Sequence, residues 1–432
     1  MTGEGVPPRR PRVVAYHARS GIGALNVVTA ALEADPRTAG LDVVFVRNPD
    51  AMARACADAP GPVVCAWSFY SPDHARMRDD LAAARARGAH GLHVVGGVHA
   101  TAEPAATLHA GWDLVAIGEG EATFVEIVAA VARGESPRVR GTAWLDDGAM
   151  ISGGAAPRRP LDDFPACNLR FGLWNALEIT RGCIYACSFC QTPFMFKARF
   201  RHRSVDDVRR HVRAMAAVPV GDRPRYVRFV SPTALSYGTD GEAPDLTAVE
   251  ALLAGVRAEL PTGGKLYFGT FPSEVRPEHV TPEALALIAR WCDNRTLVIG
   301  GQSGSERVLA RTHRGHDVAS IERAVDVAVA AGFRPDVDFL LGLPEEDAGD
   351  RAQSIALAER LAARGARIHA HAFMPLPGTP LAGARPSAIE DDVAAAVARL
   401  ESRGVAYGQW RAQQGVAQDL VQLRARRPRA RS

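Results

Sequence analysis

From residue 12 the chain alternates short β-branched runs with longer stretches whose apolar residues recur at helical spacing. "RVVAYH" is followed by "ALNVVTAALEA", and then come "LDVVFV", "GPVVCAWSFY", a helical "DHARMRDDLAAARARG", "GLHVVGG" and "WDLVAIG". Apolar strands alternating with amphipathic helices predict a parallel sheet covered on both faces. Five such strands fit a doubly wound α/β domain over residues 10–132, a class that binds ligands at the carboxyl ends of its strands. Gly96 and Gly97 in "GGVHAT", and Gly118 and Gly120 in "GEGEATF", fall at those ends. Such glycines either let a backbone approach a ligand closely or only make turns, and the pattern does not choose between the two.

Residues 133–173 break the alternation. "RGESPRVRGTAWLDDGAMISGGAAPRRPLDDFPACN" is rich in Gly, Pro and Asp and offers one hairpin around "LDDGAMI", so it reads as a linker with little core of its own. The alternation then resumes with strands "NALEIT", "RYVRFV", "KLYFGT", "TLVIGG", "VDFLLG" and "RIHAHAF". Helices are predicted over 204–217, 245–259, 282–292, 317–331, 350–364 and 386–402. Six βα units in a row, within residues 174–385, predict either a second open sheet or a partial barrel with its chemistry at the carboxyl-end mouth. Residues 386–432 add a C-terminal helix and the basic tail "LRARRPRARS", expected to be a solvated end rather than a nucleic-acid contact.

Composition narrows the classes. The 432 residues are 47% hydrophobic and 23% charged, enough for two or three domains. A net charge of +3 points to neither a general nucleic-acid binder nor a membrane-surface protein. Lysine occurs only at Lys197 and Lys265, as coding bias toward arginine produces. No apolar run reaches the ~18 residues of a membrane-spanning helix, and "MTGEGVPPRRPR" lacks the apolar core of a secretory signal. Seven cysteines, an odd count with three clustered, argue against a disulfide framework and for a reducing cytoplasm. Cys56, Cys65, Cys167 and Cys292 stand singly and read as small apolar fillers.

The clustered three carry the chemistry. In "LEITRGCIYACSFCQTP", Cys183, Cys187 and Cys190 have the spacing C-x3-C-x2-C just after the first strand of the second half. A structural zinc site takes four ligands, usually from two paired clusters, and no second pair lies near; His202 is well beyond Cys190. A four-iron cubane also takes four, so three thiolates leave one iron open for a small-molecule ligand. Three buried cysteines on one helix face are the bland alternative, against which Gly182 and the preceding strand argue for a loop.

"RGCIYACSFC" resembles the signature of the radical S-adenosylmethionine (SAM) superfamily, in which an aromatic residue, here Phe189, precedes the last cysteine. The resemblance implies a partial (β/α)6 TIM-like barrel with a [4Fe–4S] cluster on Cys183, Cys187 and Cys190. SAM would complete the open iron and be cleaved to a 5′-deoxyadenosyl radical, with an electron donor such as flavodoxin or ferredoxin. "LVIGGQSGSERVLARTHRGH" is similar to the fourth-strand region of the methylthiotransferase-like branch, which implies SAM contacts at Gln302, Ser303 and Gly304. Ser303 or Ser305 could instead start a helix. "FLLGLPEED" implies Gly342 beside the adenosine, and "HAFMPLPGTPL" implies Met374 and Pro375 against adenine. "GTFPSEVRP" offers Ser273 and Glu274. Where the superfamily often carries Gly-Gly-Glu, this chain has "FVSPTALSYG", so Ser231 or Thr233 would take the SAM amino group.

The first half resembles the Rossmann-like cobalamin-binding domain of the cobalamin-dependent subclass. "VVCAWSFYSPD", "VVGGVHATAEP" and "DLVAIGEGEATFVEIV" carry the likeness, which implies a corrin lined by Ser68, Tyr70, Gly96 and Gly97, with His99 and Glu119 near the same edge. The cobalt-binding motif Asp-x-His-x-x-Gly is missing: around His17, Ala15 and Ser20 stand in the places of Asp and Gly. The domain is then either a cobalamin site without a histidine on cobalt or a vestigial scaffold. The leading expectation is cobalamin-dependent methylation of an unactivated centre in a small-molecule or peptide substrate, without nucleic acid or membrane. The alternatives are a methylthiotransferase, whose family uses three further N-terminal cysteines, and a non-catalytic cobalamin or redox sensor.

Overall fold

The computed structural model describes residues 10–174, 176–218 and 225–425, and the chain divides between residues 175 and 176 into two compact units. In the first, β1 (Arg12–Tyr16), β2 (Asp42–Val46), β3 (Val63–Ser68), β4 (Leu92–Gly96) and β5 (Leu114–Ala116) pair in parallel. Their order is β2-β1-β3-β4-β5, so the winding reverses between β1 and β3, where a doubly wound sheet opens its crevice. Side chains alternate between two cores, as period-two strands must. Val13, Val64 and Ala66 meet Leu25, Phe124 and Ile127 of helices Ile22–Ala34 and Gly120–Ala132. Val14, Cys65 and Trp67 meet Met52, Cys56 and Met77 of helices Pro49–Ala57 and His74–Ala86. Each large side chain buried this way contributes ~2 kcal/mol.

The hairpin expected at "LDDGAMI" forms as β6 (Thr142–Asp146) and β7 (Ala149–Ser152) and extends the sheet antiparallel beyond β5. Residues 133–173 therefore do not stand apart as a linker. Ala143 enters one core, Trp144, Phe164 and Phe171 flank the other, and Asn168 Nδ2 donates to Thr29 Oγ1 at 2.9 Å in the interior. The Gly, Pro and Asp that suggest a linker make the turns between these contacts.

In the second unit the strands are β8 (Leu177–Glu178), β9 (Thr180–Arg181), β10 (Arg201–His202), β11 (Tyr226–Val227), β12 (Phe229–Val230), β13 (Lys265–Leu266), β14 (Thr296–Gln302), β15 (Arg334–Leu341), β16 (Arg367–Ala372) and β17 (Ala406–Gly408). β8 pairs with β12, β11 with β13, Val275 bridges to Ile299, and β14, β15, β16 and β17 form a parallel sheet. Neighbours follow chain order, with helices Val205–Ala217, Leu246–Glu259, Pro282–Trp291, Val318–Ala330 and Ala348–Ala363 between them, which is a partial barrel rather than a second doubly wound sheet. It runs one strand further than the six units expected. After helix Asp391–Ser402, β17 adds beside β16 and helix Trp410–Ala425 follows. β17 is three residues long and largely exposed, so no apolar alternation marks it. The tail from residue 426 lies outside the described residues, as do residues 1–9 and Asn175, at the start of "NALEIT". Among the described residues no helix is long and apolar enough to cross a membrane.

Candidate iron–sulfur site and strand-end residues

The three cysteines lie on a loop closed at its base by the antiparallel pair β9–β10, where Thr180 Oγ1 also meets His202 Nδ1 at 3.0 Å. Gly182 opens the loop at φ +84°, and a Cβ there would stand 1.9 Å from the Arg199 carbonyl oxygen, so only glycine fits. Cys190 N–H donates to the Cys187 carbonyl at 3.0 Å, making a turn rather than a helix face. Later segments hold the loop in place. Ser188 N–H donates to Thr312 O at 3.1 Å and Gln191 Nε2 to Pro377 O at 2.7 Å. Phe189 packs with Val308, Leu340, Leu343 and Phe373, so the aromatic residue of the signature is a peg into the strand ends.

All three cysteines are free; Cys187 is buried, and Cys183 and Cys190 are partly open. Burial pushes the Cys183 thiol up to about 11, the neighbouring Cys187 and Cys190 add to this, and the Arg276 guanidinium opposes it. Burial also raises Cys190. As bare thiols they would stay protonated at neutral pH, and a bound metal is what makes such groups thiolates. Two buried cations sit beside the cysteines. Arg314 Nη1 donates to Cys187 Sγ at 3.3 Å and its Nη2 to Gly300 O at 2.6 Å, leaving its Nε without a partner. Arg276 pairs with Glu278, reaches the Arg314 carbonyl, and covers the Tyr185 ring at 3.5 Å. Buried guanidinium groups require nearby negative charge, which a thiolate-ligated cluster provides. The sequence reading named neither arginine as a site residue; Arg314 lies in "THRGH" after the fourth strand and Arg276 in "SEVRP" after the third.

The strand-end residues divide by what their polar atoms meet. Thr233 Oγ1 and Ser273 Oγ are buried without a hydrogen-bond partner, so each could serve a ligand, and the buried Ser236 Oγ faces the Tyr185 hydroxyl. Ser231 donates its hydroxyl to Thr233 O at 2.8 Å, which leaves its oxygen lone pairs to accept from a ligand amino group. Gln302 ends β14 at φ +77°, with its amide close to Gly300. Ser303 Oγ meets Ser354 Oγ at 3.1 Å, and a Cβ on Gly304 would stand 2.5 Å from Gln353 O, so this pair packs strand against helix. Ser305 caps helix Glu306–Arg311, as foreseen for one of the two serines. Glu274 is pushed up to about 7, first by burial and then by the Asp338 carboxylate, and so belongs with β15 and β16 inside the barrel. Gly342, at φ +74°, lines a cavity of about 380 Å³ with Phe373, Ser387 and Gln418, within the size range of small-ligand pockets. Met374, half-buried, and Pro375, buried, follow Phe373 directly.

In the first unit Ser68 and Gly96 are register partners at the ends of β3 and β4. Gly97, at φ +88°, lies so close that a Cβ would stand 2.6 Å from Ser68 Oγ. Tyr70, 55% exposed, projects from the loop after β3. Glu119 begins helix Gly120–Ala132 after the next strand. His99, on the short helix Val98–Ala102 after Gly97, is wholly buried, with Nδ1 3.0 Å from Ser71 Oγ and its ring stacked on Phe69. His17 is also buried, with Nε2 at 3.0 Å from Asn26 Oδ1. The strand ends thus offer a ligand backbone and Tyr70, while both nearby histidines are buried.

A βα barrel whose first strand leads into a loop of three free cysteines offers the ligand type that iron–sulfur clusters use. Residues 177–358, within the second unit, match the model of the radical SAM superfamily, a family that implies a [4Fe–4S] cluster and SAM. The chain is 29% identical over 233 residues to a tRNA-2-methylthio-N(6)-dimethylallyladenosine synthase of Halorhodospira halophila, covering 52% of this chain and 46% of that one. It is 27% identical to the enzyme of the same name from Geobacter sulfurreducens, covering 56% and 52%. The chain spans about half the length of these curated relatives. In fold it is similar to the radical SAM methyltransferase TsrM from Kitasatospora setae, solved with cobalamin and a [4Fe–4S] cluster. There the TM-score is 0.65 at 16% identity, over 88% of this chain and 76% of that one. It is also similar to the cobalamin-dependent SAM radical enzyme OxsB, with TM-score 0.64 at 15% identity, over 91% and 55%. At such identities the likeness is one of fold, and that fold is a Rossmann-like sheet joined in one chain to a radical SAM core.

Proposed function

We propose that this chain is a cobalamin-dependent radical SAM enzyme that methylates an unactivated centre of a small-molecule or peptide substrate in the cytoplasm. The observation that carries the reading is the pinned loop of Cys183, Cys187 and Cys190, with the buried Arg314 guanidinium 3.3 Å from Cys187 Sγ. When bound, the cluster supplies the electron that cleaves SAM to a 5′-deoxyadenosyl radical, and cobalamin supplies a transferable methyl group. The protein's part is positional. Arg314 and Arg276 offset the negative charge of the thiolates, Phe189 fixes the loop, and Thr233 and Ser273 offer buried hydroxyls to SAM. In the first unit, Ser68, Tyr70, Gly96 and Gly97 would hold the corrin. An electron donor of the flavodoxin or ferredoxin type is required.

The test is anaerobic reconstitution with iron and sulfide, followed by SAM and a reductant. The expected product is 5′-deoxyadenosine, and its absence rejects the radical reading and favours a sensor. Added hydroxocobalamin should remain bound through gel filtration, at about one per chain. The sequence relatives favour a second reading, a methylthiotransferase. Against it, Cys56 and Cys65 are wholly buried in the sheet core, with sulfurs 3.6 Å apart, where a second cluster has no room. About four irons per chain support the first reading, and about eight the second.

A further inference from the structure

The barrel holds a second set of ligand-type side chains, separate from the cysteine loop. β15 and β16 pair in parallel with Asp338 opposite His369. His369 and His371, two residues apart on one strand, share a face. Ala370 and Ala372 pack outward on Val393, Val397 and Trp410, which turns both histidines toward the barrel interior. Asp338 Oδ1 lies 2.9 Å from His369 Nδ1 and 3.8 Å from His371 Nε2, and the two nitrogens are 3.1 Å apart. Donor atoms sharing one ion at about 2.1 Å lie roughly 3.0–3.4 Å from each other. Two of the three separations stand close to that range, and the third, at 3.8 Å, needs to close by a few tenths of an ångström.

Protons alone do not satisfy this arrangement. Gln413 Oε1 accepts from Ala372 N–H at 2.8 Å, which turns its Nε2 toward His371 Nδ1 at 3.3 Å. His371 Nδ1 is then an acceptor, so neutral His371 carries its proton on Nε2. That N–H points at His369 Nδ1, which must itself carry a proton to donate to the Asp338 carboxylate. One ring nitrogen cannot accept from the first and donate to the second, and the other acceptor open to the His371 N–H, Asp338 Oδ1, lies at 3.8 Å, longer than a normal hydrogen bond. A cation takes all three lone pairs at once. The His371 proton then moves to Nδ1, where a small rotation lets Gln413 Oε1 accept it beside the Ala372 N–H, since an amide oxygen has two lone pairs.

We propose that Asp338, His369 and His371 bind a divalent transition-metal ion of the zinc or iron(II) type inside the barrel. Two imidazoles and a carboxylate suit such ions, whereas magnesium and calcium take oxygen ligands. The His369 and His371 side chains are 21% and 31% exposed, which leaves coordination positions open toward the interior. The Tyr407 ring stacks on His369 at 4.4 Å and 9°, and Arg367 pairs with Asp336 while covering Tyr407, so the His369 ring is oriented before any ion arrives. The sequence signal was the alternation His-x-His in "RIHAHAF", read earlier only as a strand.

The site does not depend on radical chemistry and is tested apart from it. The full chain, its cysteine site first filled by iron and sulfide, is titrated anaerobically with cobalt(II) and then zinc(II) against a chromophoric chelator. About one cobalt should bind with weak d–d bands and no thiolate charge transfer, and zinc should displace it. His371→Gln and Asp338→Asn should each weaken binding by at least about 100-fold with iron content unchanged, a larger loss than outer partners cause. Gln413→Glu, which offers His371 Nδ1 a full carboxylate, should tighten binding about tenfold. Absence of binding, a thiolate charge-transfer band, or equal affinity in the wild type, His371→Gln and Asp338→Asn overturns the proposal. If the ligand variants fail to fold, Gln413→Glu decides: tighter binding sustains the site, and unchanged or weaker binding overturns it.

Discussion

The two units place similar residues at the carboxyl ends of parallel strands and treat them differently. In the sheet, packing satisfies most of them, although Ser20 Oγ after β1 and His74 Nε2 after β3 are buried without partners. Gly21 and Gly97 close on Ser68, His17 is held by Asn26, and His99 lies against Ser71 and Phe69. In the barrel, Thr233 and Ser273 keep buried hydroxyls without partners, and two buried arginines stand beside three free cysteines. Each buried polar group left unpaired costs ~1–3 kcal/mol. A chain that tolerates several together keeps them for something that binds there. Position at a strand end is therefore a weak sign of a site, and unsatisfied valence at a strand end is a strong one.

The sharpest way to break this comparison is to exchange the cysteines' roles. Cys187→Ala should lower the iron of the reconstituted protein from about four per chain to near zero and abolish 5′-deoxyadenosine. Cys56→Ala, in the sheet, should leave both unchanged. Iron lost from Cys56→Ala as well would make the sheet cysteines ligands. Glycines come next. A Cβ at Gly304 would meet Gln353 O at 2.5 Å, and one at Gly21 would meet Ser68 O at 2.0 Å, both of them backbone atoms. Gly304→Ala and Gly21→Ala should each cost about 1–3 kcal/mol by overpacking. Calorimetry should show each loss in the unit that carries the substitution.

Much of this was legible in the sequence because the strands are strongly apolar and the cysteine spacing is specific. The helix expected over 204–217 is observed at Val205–Ala217, and the one expected over 317–331 at Val318–Ala330. What failed to show was whatever depends on distant segments. The hairpin β6–β7 joins the sheet through pairing with β5, which composition cannot report. His99 carries the residue type of a ligand, but the packing of Phe69 and Ser71 decides its direction. Arg314 lies 127 positions from Cys187, and only the folded barrel brings them together.

A pH titration probes the buried charge of the barrel. Burial, then the Arg314 and Arg276 charges, push His316 down to about 3. The folded state therefore keeps this ring neutral while the unfolded chain protonates near the ordinary value of about 6.5. The unfolded state binds the extra proton, so this contribution is full above pH ~6.5 and is lost as pH falls toward 3. Between pH 6.5 and 5 the loss should be roughly 2 kcal/mol in denaturant unfolding. His316→Gln should remove that part of the slope, and an unchanged slope would refute the assignment. Arg314→Gln should keep the cluster but lower its midpoint potential by up to about 100 mV, because a charged hydrogen bond to thiolate favours the less oxidised cluster. Spectroelectrochemistry reads this directly.

The smallest effect bears on the sheet. His17 stands near the end of β1, where a cobalt ligand would be sought, yet it is 6% exposed and its Nε2 lies 3.0 Å from Asn26 Oδ1. His17→Ala should cost about 1 kcal/mol through that buried hydrogen bond, measured by chemical unfolding. The visible spectrum of hydroxocobalamin on the protein should not change, and the EPR spectrum of its reduced cobalt(II) form should show no histidine nitrogen coupling in either variant. Nitrogen coupling present in the wild type and lost in His17→Ala would mean that the ring turns out of its packing to meet cobalt. The strand ends of the sheet would then be ligand-facing like those of the barrel, and the contrast between satisfied and unsatisfied side chains would no longer separate the two units.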